Sequence, residues 1–250
     1  MNRIVEWKED GIHYEADQRH AEIIVAQMGL NDESRSANTP GQKHTGELEG
    51  EELKPDEARM YRGMVARANY LGEDRSDIQY AVKELSRNMS QPRENDWANL
   101  KRLARYLVNR TRVVQKFEYQ EKPSRIIVHT DTDFAGCSKT RKSTSGGVMK
   151  NVIKTWSSNQ GVVALSSREA EYYGLVKGAS QGIGLRNLAR DLGVECFAAI
   201  QIASGASAAI GIAARRGAGK IRHIEVSQLW LQAQVSNGEV ELCKISTHEN

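Results

Sequence analysis

Two runs of carboxylates give this sequence its chemical character. The first, His129-Thr130-Asp131-Thr132-Asp133-Phe134-Ala135-Gly136, follows the apolar triplet Ile126-Ile127-Val128. The second, Ser166-Ser167-Arg168-Glu169-Ala170-Glu171-Tyr172-Tyr173, has the look of a helix start. Acids that end a strand and acids that open a helix can converge at one end of a sheet. Such carboxylates suit hard divalent cations, which prefer oxygen ligands. Paired ions of that kind serve in-line displacement at phosphorus.

The elements that must position these acids are legible as changes of period. Tyr61, Met64, Val65, Ala68 and Leu71 recur at helical spacing, as do Ile78, Ala81, Val82 and Leu85. A helix is expected from Asp77 to Met89, ended by Gln91-Pro92, and another from Glu94 to Asn109 with Trp97, Leu100, Leu103 and Leu107 inward. From about Ser124 the pattern turns to strands: Arg125–Thr132, Gly146–Lys150 and Val152–Ser158. Helix is expected over 167–192 with a break at Gly182 and Gly184, then a strand at 197–203, helical stretches at 206–216 and 224–236, and a last strand at 240–245. The order βββαβαβ predicts an α/β fold, a mixed sheet with helices packed on its faces. Upstream, Ile4, Val5 and Trp7 precede a helical pattern from Ala16 to Leu30, and residues 31–56 are polar and acidic, as in an exposed linker.

The chain of 250 residues is long enough for one large domain or two smaller ones. It is 39% hydrophobic and 27% charged, with a mean hydropathy of −0.58. No run reaches the roughly 18 apolar residues of a membrane helix, and the start of the sequence lacks the apolar core of a signal peptide. The three cysteines, Cys137, Cys196 and Cys243, are dispersed and odd in number, which fits neither a disulfide framework nor a zinc site. An intracellular location, cytoplasmic or nuclear, is the expectation, with no membrane partner. The net charge of +3 conceals an asymmetry: residues 1–60 hold 7 Lys/Arg against 14 Asp/Glu, whereas residues 101–150 hold 12 against 4. A basic stretch beside candidate metal ligands suits a polyanionic partner.

Several motifs in order carry a resemblance. They are Tyr61-Arg62-Gly63-Met64-Val65, Arg75-Ser76-Asp77-Ile78-Gln79-Tyr80-Ala81-Val82, Lys101-Arg102-Leu103-Ala104-Arg105-Tyr106-Leu107, Thr130-Asp131-Thr132-Asp133-Phe134-Ala135-Gly136, Arg141-Lys142-Ser143-Thr144-Ser145-Gly146, Ser166-Ser167 with Glu169-Ala170-Glu171-Tyr172, and Lys220-Ile221-Arg222-His223-Ile224. Together they resemble the C-terminal part of the Pol polyprotein of copia-type retrotransposons, the connection segment after reverse transcriptase followed by a ribonuclease H domain. The resemblance implies a ribonuclease H-like mixed five-stranded sheet flanked by helices, preceded by a small helical connection region. It divides the chain into a remnant of the reverse transcriptase C-terminal region (1–30), the acidic linker (31–56), the helical connection (57–122) and a C-terminally truncated ribonuclease H-like domain (123–250). The polymerase palm and its metal-binding aspartates are not in the sequence, so polymerase activity is not expected.

The resemblance also implies a reaction: cleavage of RNA in RNA–DNA hybrids, with four carboxylates holding two Mg²⁺ ions. Asp131 matches the first acid and Glu171 the second. Gly205 stands where the third is expected, in Ala203-Ser204-Gly205-Ala206-Ser207, and no Asp or Glu occurs between Glu195 and Glu225. The fourth would fall beyond Ser246-Thr247-His248-Glu249-Asn250. Weakened metal binding and impaired hydrolysis are therefore expected, and a catalytically silent nucleic-acid-binding module or a pseudogene fragment is the alternative. The partners implied are RNA–DNA hybrid or another nucleic acid, and the reverse transcriptase portion of the polyprotein where present.

Other residues carry two readings each. Lys142 and Ser143, in the turn after the first strand of the mixed sheet, suit phosphate contact or an ordinary polar hairpin. Arg215, Arg216 and Lys220, spaced by Gly217 and Gly219, suit a nucleic-acid edge or a solvated loop. Asp133 is expected to face away from Asp131 in a structural role, and Glu169 to cap its helix. His223 is expected at a cap or core edge rather than on a metal, and Trp97, Trp156 and Trp230 in cores.

Overall fold

A computed structural model describes residues 2–42, 50–121, 123–137, 139–149, 153–194, 199–217, 219, 223–224 and 226–246. The chain divides into two compact units, Met1–Tyr119 and Gln120–Asn250.

The first unit opens with a hairpin, β1 (Ile4–Lys8) and β2 (Gly11–Glu15), and closes with β3 (Val114–Phe117), which pairs antiparallel with β2. Between them run α1 (Arg19–Gln27), α2 (Pro55–Gly72), α3 (Gln79–Ser86) and α4 (Glu94–Leu107). The apolar stripes meet in one core: Ile24 and Val25 of α1 lie against Tyr61, Met64, Leu71, Ile78, Leu100 and Leu103. Pro55 opens α2 at a position that needs no N–H donor, and Glu57 reaches back to accept the Lys54 N–H at 3.2 Å. The stretch after α1 is docked in part, since the Ala37 N–H donates to the Arg105 carbonyl and Leu53 packs on the core. All five residues of β1 are exposed, including Trp7. Among the described residues Arg75 is the largest fully buried side chain. Its guanidinium makes a bidentate pair with Asp77 at 2.8 and 2.7 Å and donates to the Arg110 carbonyl.

The second unit holds the expected mixed five-stranded sheet. Its strands are β4 (Arg125–Asp133), β5 (Thr144–Met149), β6 (Thr155–Asn159), β7 (Ala199–Ser204) and β8 (Val240–Lys244), in spatial order β6-β5-β4-β7-β8. The β6-β5-β4 pairs are antiparallel and the β4-β7-β8 pairs parallel. The helices are α5 (Ser167–Asp191), α6 (Ser207–Ala213) and α7 (Trp230–Ser236), the last entered through a single 3-10 turn at Val226–Leu229. Alternation along β4 sends Ile126 and Val128 into a core shared with Tyr172, Leu175 and Ala179 of α5, Ile212 of α6 and Leu231 of α7.

Two expectations are corrected here. α5 does not break at Gly182 and Gly184 but continues to Asp191. Gly174, Gly178 and Gly182, four residues apart, face the sheet. A Cβ on Gly178 would lie 2.6 Å from Thr130 Cγ2, and one on Gly182 2.8 Å from Ile200 Cγ2. These glycines let the helix backbone approach β4, so they are packing positions rather than punctuation. Trp230 is 36% exposed rather than a core residue, while Trp156 lies over Gly147 across the β5–β6 pair, where no Cβ would fit. Among the described residues no helix is long and apolar enough to cross a membrane.

Candidate functional site

Asp131 sits near the C-terminal end of β4, exposed, on the face opposite Thr130 and Thr132. Glu171 lies in the second turn of α5, half-buried. The two acids come together electrostatically. Burial pushes the Glu171 carboxyl up to about 7, the negative charge of Asp131 adds to the rise, and a hydrogen bond from the Thr132 backbone opposes it. A carboxylate pair that resists double ionisation is a place that favours a cation or a proton between its members.

Gly205 follows β7, the strand parallel to β4. His129 and Ala203 are the last paired residues of the two strands, two before Asp131 and Gly205 respectively. The crevice at the carboxyl ends of adjacent parallel strands is where α/β sheets receive ligands. Here it has a carboxylate on one strand and a glycine on the next. Among the described residues no group of three or more His, Cys, Asp or Glu is arranged to hold a metal ion. Glu249 and Lys220 lie outside the described residues.

Asp133 departs from expectation. β4 persists through Asp133, and the two-residue period of a strand puts Asp131 and Asp133 on one face. The Asp133 carboxylate turns back over Gly136, where a Cβ would collide with it. The β4–β5 loop is tightly built, with Ala135 and Arg141 both in the left-handed region (φ 52° and 55°). Ser143, expected on a phosphate-facing turn, is wholly buried, and its hydroxyl accepts the Ala135 N–H at 3.0 Å. Lys142 is half-buried, and its Nζ donates to the Gly161 carbonyl at 2.7 Å, joining this loop to the one before α5.

The start of α5 was only partly readable. Ser166 caps it, its hydroxyl accepting the Glu169 N–H at 3.3 Å. Glu169 is 2% exposed, and its carboxylate accepts from the Leu165 N–H at 3.1 Å and the Tyr173 hydroxyl at 3.0 Å. The third contact, His223 Nε2 at 2.8 Å, is a partner that sequence reasoning missed; no spacing rule links residues 54 apart on different elements. Arg215 is half-buried and Arg216 exposed, on the segment leading away from α6.

With this geometry in view, the chain can be compared with known proteins. The retrovirus-related Pol polyprotein from transposon RE2 of Arabidopsis thaliana is 28% identical over 195 residues, 76% of this chain and 13% of that protein. Homologues of this chain include the Pol polyproteins of copia-type retrotransposons. The chain spans 13% of the length of these Pol relatives. Secreted RxLR effector protein 161 of Plasmopara viticola is 33% identical over 114 residues, 44% of this chain and 80% of that one. Among solved structures, the N-terminal ribonuclease H domain of a Mycobacterium tuberculosis protein matches 50% of this chain and 89% of its own, with 14% identity and a TM-score of 0.34. No family model matches.

Proposed function

We propose that the second unit is a ribonuclease H-like module of retrotransposon origin that binds nucleic acid, with RNA–DNA hybrid as the first ligand to test, and whose hydrolytic step is impaired. The observation that carries this reading is the strand register. The last paired residues are His129 and Ala203, two before Asp131 and Gly205 respectively, so the chain leaving β7 offers a glycine rather than a third carboxylate to the pair Asp131 and Glu171. Two Mg²⁺ ions, the set the family implies, need more oxygen ligands than this pair supplies, and the described residues do not fit that set.

Binding rests on other groups. Arg141, Lys142, Arg215 and Arg216 supply cations on two loops of a unit whose sequence, 120–250, has 16 Lys/Arg against 11 Asp/Glu. Lys220 adds to that sequence cluster. Such contacts hold the phosphate backbone without reading bases.

A labelled RNA–DNA hybrid tests both halves of the reading. Affinity should fall linearly with the logarithm of salt concentration, as counterion release requires. Incubation with Mg²⁺ or Mn²⁺ should give only background cleavage, unchanged by Asp131→Asn. Cleavage that Asp131→Asn abolishes would overturn the impairment, and salt-independent affinity would overturn the binding reading.

A further inference from the structure

We propose that His223 is a positioning residue, latching the basic segment after α6 onto the first turns of α5. This rests on the nucleic-acid reading above, because the segment's service would be to present Arg216 to a phosphate backbone beside Glu171.

Glu169 is buried two residues before Glu171, yet no Lys or Arg of the described residues forms an ion pair with it. Its carboxylate is satisfied by a backbone N–H, a tyrosine hydroxyl and the His223 ring. A carboxylate oxygen accepts, so Nε2 of His223 carries the hydrogen. The side chain of His223 is 44% exposed, so the imidazole reaches from the surface to a buried acceptor.

The segment between α6 and α7 is tied at its other points too. Gln232 of α7 donates to the Ile212 and Gly217 carbonyls at 2.8 and 3.1 Å and accepts the Gly217 N–H at 2.9 Å. The Tyr172 hydroxyl of α5 donates to the Gln228 carbonyl at 2.7 Å. Gly217 and Gly219 take left-handed backbone (φ 76° and 55°), and the Arg215 guanidinium carbon lies 2.8 Å from where a Cβ on Gly219 would be. Arg215 thus folds over its own segment, and Arg216 is the exposed cation there among the described residues. Gln232 fixes the start of the segment, and His223 fixes its far end to the helix that carries Glu171.

The test uses the full chain with His223→Ala, His223→Gln, Arg216→Ala and the double variant His223→Ala with Arg216→Ala. Amide hydrogen exchange should quicken at 214–217, 223 and 224 and in the first turn of α5 in His223→Ala, and do so less in His223→Gln, whose amide can still donate. The slope of log affinity for hybrid against log salt should drop by about 1 in His223→Ala, near the roughly 0.9 lost per phosphate contact. Arg216→Ala should show the same drop, and the double variant no more than either single. Unchanged exchange in a folded His223→Ala chain, or slope losses that add in the double variant, would overturn the proposal. Should the unaltered chain show no salt-dependent binding, the functional reading falls and takes the phosphate-presenting role with it. The exchange data then decide the latch itself: quickened exchange keeps it, unchanged exchange removes it.

Discussion

Glu171 is a carboxylic acid whose proton is shared out between burial and a neighbour. An unfolded glutamate ionises near 4.5, whereas here burial, and then the charge of Asp131, raise the carboxyl to about 7. Between those values the folded chain holds a proton that the unfolded chain has lost, so this group's contribution to stability is complete below about 4.5 and is lost as pH rises through about 7. Glu171→Gln removes the titration. The variant should therefore gain on the original chain in melting temperature as pH is raised from 4.5 to 7.5, as followed by circular dichroism. A difference that stays flat across that range would show that neither burial nor Asp131 raises the Glu171 carboxyl. The same pair gives Gly205→Asp a readable signature: a third acid should let Mg²⁺ raise the melting temperature at pH 8, and Asp131→Asn should erase the increase. Lys177 shifts the other way for a related reason, since burial lowers its pKa while its Nζ donates to the Ser158 hydroxyl at 2.6 Å.

α5 shows how one element can be seated by the atoms it lacks. Gly178→Ala would put a methyl 2.6 Å from Thr130 Cγ2 and push the helix off β4, at a cost of about 1–3 kcal/mol for overpacking. Gly184, exposed on the same helix with nothing within 4 Å of a Cβ, should respond oppositely. Gly184→Ala is expected to stabilise by about 0.4–1 kcal/mol. Urea titration of the two variants checks the opposed signs, and the same sign for both would undo the account of the stripe. Sequence reading treats Gly182 and Gly184 alike because local punctuation rules see only neighbours in the chain; what separates them is Ile200 of β7 and Val128 of β4, which fill the space beneath Gly182 and not Gly184. The apolar periods did announce α2, α3, α4 and the strands of the mixed sheet, since those patterns are written within each segment. The β1-β2-β3 sheet was not legible. β1 is exposed on both faces and shows no burial alternation, and β3 joins β2 from about a hundred residues away. At the site, Asp131 and Glu171 were legible from motif and spacing. The burial of Ser143 and the partner of Glu169 were not, because each depends on a loop folding back on another element.

The molecule as a whole is two folding problems with two cores. Residues 1–119 hold 19 Lys/Arg against 21 Asp/Glu, and residues 120–250 hold 16 against 11, so the basic character belongs to the second unit. The cores share no residue. Arg75→Ala would leave Asp77 without its guanidinium partner and the Arg110 carbonyl without its donor, a loss of about 3 kcal/mol for a pair broken on one side. Hydrogen exchange should then report loosening confined to residues 2–119, with protection of β4 and α5 unchanged; loosening of α5 would show that the units unfold as one. The glycine stripe has a different consequence when substitutions are imagined arriving at random. A change at Gly174, Gly178 or Gly182 presses on the sheet and costs stability, whereas exchange of an acid for glycine after β7, where Gly205 is half-exposed, touches no residue of the core. Architecture and chemistry are thus exposed to different hazards, and a fold of this kind keeps its shape whichever residues stand at the mouth of its sheet.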